Sequence, residues 1–305
     1  MPSLLKKVKS RLFIAARRRT LGMLDGEYGS VFKGRGLDFD ELRPYVPGDD
    51  VRDIDWKATA RHGSPLIRRY ISVRRQTVLL VADTGRNMAA ASKDGNAKRE
   101  VALDALGLIG FLALRHGDDV ALVHGDAEKT RYFPPRTGEE HLERLLGAIH
   151  DSAGRESPRS DLSCQLRFTL RNFRQRMLVF VVADEFLPDA ETESLLRRLQ
   201  ARHEILWLTV RDAALAVEAH AELAPCPRGF KTVDISDGTY LPDAPAARPS
   251  VRRAYAEAMK EREGVRREFY RRLGVTEGVT GGDDVVPALF RLLELHRMTG
   301  RAHAG

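Results

Sequence analysis

The apolar residues in the middle of the chain fall into short runs that alternate with longer, helix-like stretches. The apolar runs predict strands at 77–82, 120–124, 131–133, 177–183 and 204–210. The stretches between them predict helices at 97–115, 139–149, 161–173 and 191–202, of which the first is apolar on nearly all sides and should be buried. This alternation predicts an α/β domain with a doubly wound, mostly parallel sheet that has helices on both faces.

The N-terminal quarter of the chain has a different pattern. Residues 1–20 place leucines at helical spacing among lysines and arginines, which predicts a short amphipathic helix that acts as a docking arm. From 22 to 75, glycines and prolines separate short extended pieces, and this texture predicts a small β-rich module. We therefore divide the chain into 1–76, the basic helix with the β-rich module, and 77–305, the α/β domain with C-terminal helices.

The last 76 residues complete the predicted α/β domain. A strand is expected at 230–235, and a long helix is expected from an N-cap at Ser250 to Leu273, followed by Gly274. The apolar stripe of this helix is expected to lie in the core. A final short helix is predicted at 284–297.

Composition and charge narrow the function classes. The 305 residues are 43% hydrophobic and 30% charged, as in an ordinary globular protein. Residues 1–76 hold 17 lysines and arginines against 9 acids, so the basicity is local. A basic arm could bind nucleic acid, an anionic membrane or an acidic protein, and its candidate residues are Lys6, Lys7, Lys9, Arg11, Arg17, Arg18 and Arg19. A solvated or ion-paired surface is the alternative.

The chain lacks the features of several other classes. Its longest apolar tract, 101–114, is too short to span a bilayer, and no secretion signal is recognisable. The two cysteines fit a reducing compartment, so we expect a cytoplasmic protein. No phosphate-binding loop, zinc-binding helix or nucleophile elbow occurs, and we expect no enzymatic activity. A metal-dependent hydrolase that uses Asp83 and Asp184 is the least favoured alternative.

Two acids, Asp83 and Asp184, follow predicted strands directly. The carboxyl ends of parallel strands meet at one edge of a sheet, and ligands bind there at the point where the strand order reverses. If the two strands are neighbours, both carboxylates converge on one crevice. Such oxygen ligands suit a hard divalent cation. Alternatively, each acid caps the helix that follows it.

The sequence DTGRNM, which begins at Asp83, resembles the D-x-S-x-S loop of von Willebrand factor A-like domains. In these domains the loop holds magnesium in a metal-ion-dependent adhesion site. Gly85 and Asn87 stand where the two serines belong, Ser160 fits the usual threonine, and Asp184 fits the later acid. The resemblance implies a degenerate Mg²⁺ site held by Asp83, Asn87, Ser160 and Asp184, with water completing the shell. A vestigial, metal-free contact surface is the alternative.

Residues 36–61 read GLDFDELRPYVPGDDVRDIDWKATAR and look like the signature of the bacterial family called domain of unknown function 58. The matching positions are Phe39, Arg43, Tyr45, Pro47, Gly48, Asp49, Asp50, Arg52, Ile54, Asp55, Trp56, Ala60 and Arg61. Because arginines are intermingled with the acids, we expect ion pairs here rather than a metal site. Trp56 is expected to anchor the packing of the module.

The resemblance also implies a partner. Members of this family are commonly linked to MoxR-type AAA+ ATPases as co-chaperones or assembly factors. It therefore implies a non-enzymatic interaction protein that presents the edge around Asp83, Ser160 and Asp184 to such an ATPase. The residues predicted to contact the partner directly are Thr84, Gly85, Arg86 and Glu185. Binding of anionic surfaces by the N-terminal arm remains the alternative function.

Overall fold

The computed structural model describes residues 3–15, 24, 26–29, 41–46, 54, 56–69, 76–185, 189–213, 234–236 and 249–302. The sheet and its covering helices lie within these ranges. The predicted strand at 230–235 falls mostly outside them, and residues 234–236 form a turn instead of a strand end.

Within the described residues, eight strands form two sheets. The small sheet pairs β1 with β2 in antiparallel fashion, and the large sheet has the order β5-β4-β3-β6-β7-β8. All neighbours in the large sheet are parallel except β4 and β5. The strands are β1 Glu41–Pro44, β2 Leu66–Arg69, β3 Thr77–Asp83, β4 Asp119–Gly125, β5 Thr130–Arg136, β6 Leu178–Asp184, β7 Glu204–Val210 and β8 Thr276–Thr280.

The helices connect these strands and cover the large sheet. They are α1 Leu4–Ala15, α2 Trp56–His62, α3 Lys98–Arg115, α4 Glu139–Ser152, α5 Leu162–Asn172, α6 Ala190–Gln200, α7 Pro249–Leu273 and α8 Val285–Ala302. A single 3₁₀ turn at Arg86–Ala89 follows β3. Across the described ranges, no helix is both long enough and apolar enough to cross a membrane.

The large sheet has a buried apolar layer on each face, which explains its continuous apolar strands. Leu80 of β3 lies in the layer with α1, α3, α4 and α8, and its neighbour Leu79 lies in the layer with α5, α6 and α7. Trp207 of β7 is fully buried in the second layer, with its ring centroid 5.1 Å from that of Tyr270. The doubly wound α/β architecture predicted from the sequence is confirmed.

The N-terminal helix α1 is docked on its own chain. Leu5 and Val8 are buried in the layer that contains α3 and α4. A side chain at Gly107 would approach Val8 Cγ2 to 2.9 Å, so this glycine permits close contact between α1 and α3. The Glu143 carboxylate accepts the backbone N–H groups of Leu4 and Leu5, each at 2.7 Å. The helix therefore packs on the α/β layer, although it precedes the predicted boundary at residue 76.

The described part of the β-rich module contains β1, β2 and the short helix α2. Trp56 is 66% exposed at the start of α2, so the prediction that it anchors the packing is wrong. Arg61 is exposed, and Tyr45 donates its backbone N–H to Pro65 O at 2.9 Å. The Arg43 guanidinium donates to Pro44 O at 3.2 Å. The remaining predicted ion-pair residues, Asp49, Asp50, Arg52 and Asp55, lie outside the described residues.

The C-terminal region differs from its prediction in two respects. The helix α7 ends before Gly274, which has a φ of +70°, as expected for a C-terminal glycine. However, only its last turns reach the core, and Val265 of the predicted core stripe is 56% exposed. Strand β8 was not predicted, because Glu277 and Gly278 interrupt the five residues that form it.

Candidate functional site

The order of the strands reverses between β3 and β6, which are neighbours in the sheet. From β3 the chain moves outward through β4 and β5, and then returns to β6 on the other side. Asp83 is the last residue of β3 and Asp184 is the last residue of β6. The two acids therefore lie together at the carboxyl edge of the sheet, where the sequence predicted a crevice.

The carboxylate of Asp83 is buried and held mainly by the chain itself. Asp83 is 4% exposed, and its Oδ1 accepts the backbone N–H of Gly85 at 2.8 Å. The pKa of Asp83 is raised to about 7, chiefly by burial and to a smaller extent by the nearby Asp184. The Gly85 N–H, Ser160 and Lys98 act in the opposite direction but do not restore the ordinary value. Asp83 is thus a carboxyl group whose negative charge is disfavoured.

The loop after β3 touches the loop before α5 closely. A Cβ atom at Gly85 would lie 2.5 Å from the backbone N and Cα of Ser160, so a serine does not fit at this position. Arg86 donates its backbone N–H to Pro158 O at 2.9 Å, which joins the same two loops. Ser160 Oγ is buried without a hydrogen bond of good geometry. Glycine at position 85 is therefore a packing requirement of this edge.

The carboxylate of Asp184 is surrounded by donors. Lys98 Nζ lies 2.5 Å from Asp184 Oδ1, which also accepts the backbone N–H of Glu185 at 2.6 Å. Asn87 Nδ2 donates to Asp184 Oδ2 at 3.2 Å. Both oxygens of this carboxylate therefore accept hydrogen bonds from nitrogen atoms of the protein.

The ammonium group of Lys98 also contacts Asp212, which follows β7. Lys98 is only 1% exposed, although it is the first residue of α3. Burial by itself lowers the pKa of this amine, but the carboxylates of Asp184 and Asp212 outweigh burial and raise the pKa. Lys98 is consequently a buried, charged lysine between two acids.

A second ion-pair network continues from this edge toward α7. The Arg266 guanidinium is 2% exposed and contacts Glu185, and its Nε donates to Glu277 Oε1 at 2.8 Å. Thr209 Oγ1 donates to the same Glu277 oxygen at 2.7 Å. This network explains why a glutamate occupies the middle of β8 and why the arginine next to Val265 turns inward.

The four residues predicted to contact a partner differ in accessibility. Thr84 is fully buried, with its Oγ1 3.4 Å from His124 Nδ1, and Gly85 is buried against Ser160. Arg86 is half-buried and reaches the surface. Glu185 is also half-buried, and its carboxylate is engaged by Arg266. The accessible surface of the edge is therefore formed by the residues around Arg86 and not by Thr84 or Gly85.

A cavity of about 350 Å³ opens on the β4 side of this edge. Thr84, His124 and Arg131 are among the residues that line it. His124 is fully buried, and its Nε2 has no hydrogen-bond partner. The pKa of His124 is lowered to about 4, chiefly by burial and to a smaller extent by the charge of Arg131. The imidazole is therefore neutral at physiological pH.

The predicted magnesium ligands converge, but their arrangement does not fit a divalent cation. The carboxylate of Asp184, which would bind the metal, already contacts the ammonium of Lys98. Asn87 directs its N–H₂ group rather than its oxygen toward the same carboxylate. The loops after β3 and before α5 also pack tightly at Gly85 and Ser160, so a serine ligand does not fit at position 85. Within the described ranges, no three histidine, cysteine or acidic side chains lie close enough together to hold a metal ion.

Lys98 and Asp212 were not identified as site residues from the sequence, although the sequence pattern around each one indicated a role. A basic side chain in the first turn of a helix is unfavourable beside the positive end of the helix dipole, so Lys98 needed a nearby acid. Asp212 follows a buried strand by two residues, much as Asp83 and Asp184 end theirs. The rule that identified those two acids would have identified the third.

The strand order, with its reversal between β3 and β6 and its paired acids at that edge, defines a von Willebrand factor A-like domain. Within this class, the chain belongs to the family described as protein of unknown function DUF58, whose family model matches residues 41–264. This match confirms the family resemblance inferred from residues 36–61.

Relatives in this family include uncharacterized proteins of Mycobacterium bovis and Mycobacterium tuberculosis. Each is 34% identical over 208 residues, which cover 66% of this chain and 63% of the relative. The match therefore spans less than two thirds of the length of these relatives.

Solved structures with similarity to this chain include an aerotolerance-related membrane protein from Bacteroides fragilis, with 12% identity and a TM-score of 0.44 over 72% of this chain and 99% of that chain. A von Willebrand factor type A protein from Catenulispora acidiphila has 10% identity and a TM-score of 0.38 over 74% of this chain and 43% of that chain. Both similarities are low, and the strand order carries the fold assignment.

Proposed function

We propose that this chain is a non-enzymatic protein-interaction domain that works as a co-chaperone or assembly factor with a MoxR-type AAA+ ATPase. The family resemblance suggests the ATPase, and the cytoplasm is the compartment we propose for both proteins. In this proposal the carboxyl edge of the sheet, around the loop after β3, is the surface that contacts the ATPase.

The observation that carries the proposal is the rigid construction of this edge. The backbone hydrogen bond from Arg86 to Pro158 and the contact of Gly85 with Ser160 join two loops into one surface. Arg86 is half-buried on this surface, and Arg159 is exposed beside it. A fixed surface loses little conformational entropy when a partner binds. The adjacent cavity gives a partner side chain room to insert.

The surroundings of the two acids favour binding over catalysis. Both oxygens of Asp184 accept hydrogen bonds from the protein, which leaves this carboxylate poorly placed to activate water or to attack a substrate. Asp83 is buried beneath the loop that follows it. A hydrolase that uses these acids would first have to break the contacts that hold them.

The alternative function, anion binding by the N-terminal arm, receives little support from the contacts of α1. Lys7 and Lys9 pair with Glu100 and Glu139, each at 2.5 Å, and Arg11 pairs with Asp104. These basic side chains are therefore partly neutralised by acids of the same chain. Lys6 remains exposed on α1, and Arg17, Arg18 and Arg19 lie outside the described residues.

The direct test is the binding of the purified MoxR-type ATPase from the same organism to the immobilised full chain. We expect Arg159→Glu to weaken binding by about tenfold, because it reverses a charge at the proposed interface. The matched control is Arg176→Glu, because Arg176 is also exposed but lies at the opposite edge, two residues before β6. This control should bind like the unchanged protein.

Two results would contradict the proposal. The first is a failure of the unchanged protein to bind the ATPase in any nucleotide state. The second is an equal loss of affinity for Arg159→Glu and Arg176→Glu, which would indicate a nonspecific charge effect. Thermal melting of both variants checks that neither substitution alters the fold.

A further inference from the structure

Three carboxylates and one buried amine meet at the carboxyl edge of the sheet. Asp83 and Asp184 end β3 and β6, Asp212 follows β7 by two residues, and Lys98 is the first residue of α3. Lys98 contacts two of the acids directly and is 1% exposed. Such a position is costly for a lysine unless its charge is balanced.

The ammonium of Lys98 has two carboxylate oxygens as direct partners. Its ammonium lies 2.5 Å from Asp184 Oδ1 and also contacts Asp212 Oδ1. Because β6 and β7 are neighbours in the sheet, the lysine joins the end of β6 to the segment that follows β7. The positive end of α3 opposes this lysine, and the two acids are therefore what keeps it in place.

A divalent cation would compete with Lys98 for the same acid. The ammonium and a metal ion would repel each other at this distance, and the burial of Lys98 limits the screening of this repulsion by solvent. Asn87 and the backbone N–H of Glu185 also donate hydrogen bonds to the Asp184 carboxylate. A serine ligand is sterically excluded at position 85. The metal predicted from the sequence and the lysine in the structure are thus mutually exclusive.

We propose that Lys98 is the resident cation of this edge, and that its ammonium replaces the divalent ion predicted at Asp184. The edge accordingly keeps its shape without metal. This inference concerns the charge balance of the site, and it holds whether or not the ATPase is the partner.

The test measures metal binding and stability of the full chain at neutral pH. Titration of the unchanged protein with Mn²⁺, followed by electron paramagnetic resonance, should show no saturable site up to millimolar concentration. Its thermal midpoint should be the same in Mg²⁺ and in EDTA. A saturable Mn²⁺ site that disappears in Asp184→Asn would overturn the proposal, as would a midpoint that Mg²⁺ raises and EDTA lowers.

The role of Lys98 itself is tested by Lys98→Met, which preserves the length of the side chain and removes its charge. Its thermal midpoint should fall by roughly 10 °C in both Mg²⁺ and EDTA, because two acids lose their counterion. The matched control is Lys93→Met, which changes an exposed lysine in the preceding loop and should leave the midpoint unchanged. Equal midpoints for Lys98→Met and the unchanged protein would overturn the proposal.

A milder variant keeps the test decisive if Lys98→Met does not fold. Asp212→Asn removes one of the two acids from Lys98 at a position where the side chain is 46% exposed. Its midpoint should fall by a few degrees, equally in Mg²⁺ and in EDTA. An unchanged midpoint for Asp212→Asn would contradict the assigned role of Lys98. These measurements involve no ATPase, so their outcome is separate from that of the proposed function.

Discussion

The strands β3 and β6 lie side by side at the strand reversal, and each ends with a buried aspartate. At the end of β3, Asp83 is held by the backbone N–H of Gly85 and makes no ion pair with any described residue. At the end of β6, Asp184 is paired with Lys98. The same fold position therefore carries one acid without a direct counterion and one acid with a buried counterion.

This difference shows two ways in which a sheet edge accommodates buried acids. At Asp83 burial opposes the negative charge and raises the pKa to about 7, so protonation relieves much of the cost. At Asp184 a lysine supplies the opposite charge, and the two groups depend on each other. Removing one acid should therefore have a much larger effect than removing the other.

The largest effect is expected for Asp184→Asn. The substitution leaves Lys98 buried with only the half-exposed Asp212 as a counterion, and breaking a buried pair in this way costs about 3–5 kcal/mol. The free energy of unfolding, measured with urea at pH 8, should fall by an amount near this range. A loss smaller than that of Asp83→Asn would contradict the conclusion that Asp184 depends more strongly on its partner than Asp83 does.

A smaller loss is expected for Gly85→Ala in the β3 loop. The added methyl group would meet the backbone of Ser160 at 2.5 Å, and such overpacking costs about 1–3 kcal/mol. Gly147→Ala is the matched control, because nothing lies within 4 Å of the added atom and the residue is within α4. Urea unfolding should show that the control is neutral or slightly stabilising, and equal losses in the two variants would exclude the steric explanation.

Asn87→Ala tests the hydrogen bond between Asn87, in the turn after β3, and Asp184, at the end of β6. It removes the donor to Asp184 Oδ2, and a bond of this kind contributes about 1 kcal/mol. Unfolding free energies should show a loss of that size, and the loss should disappear when Asp184→Ala, which has no acceptor at this position, is already present. Additive losses would mean that Asn87 stabilises the β3 loop through other contacts.

The smallest effect at pH 5 is expected for Asp83→Asn. At this pH the raised pKa keeps the native carboxyl group mostly protonated, and asparagine resembles it, so stability should change by less than about 1 kcal/mol. The native state binds more protons than the unfolded state between about pH 4 and pH 7. The Asp83 group therefore makes the unchanged protein less stable as the pH rises through this window.

The measurement for this prediction is urea unfolding of both proteins at pH 5 and pH 8. The Asp83→Asn variant lacks the titrating group, so its stability relative to the unchanged protein should increase from pH 5 to pH 8. A relative stability that decreases over the same interval would show that the charged form of Asp83 is favoured in the native state.

Much of the fold could be predicted from the sequence because strands buried on both faces are continuous apolar runs. This applies to β3, β6 and β7, and the parallel arrangement that such runs predict places Asp83 and Asp184 at one edge of the sheet. Strand β8 could not be recognised, since Glu277 interrupts its apolar pattern and is accommodated there by contacts with Arg266 and Thr209. A local sequence pattern gives no information about a pairing partner that lies elsewhere in the chain.

The same reason limited the prediction of the site. The motif after β3 suggested a metal, and only the tertiary structure brings Lys98 to Asp184, 86 residues away in the chain. Trp56 illustrates the opposite error, since a large aromatic residue within a specific signature was expected to anchor the packing of the β-rich module and is exposed. Residue type indicates burial on average, whereas charge balance at a site depends on which elements meet.

The central claim, that Lys98 and Asp184 stabilise each other, is tested most directly by a double-mutant cycle. Urea unfolding is measured for the unchanged protein, Lys98→Met, Asp184→Asn and the double variant. We predict a coupling free energy of at least about 2 kcal/mol, with the double variant more stable than the two single losses would give together. Losses that add to within about 0.5 kcal/mol would contradict the account.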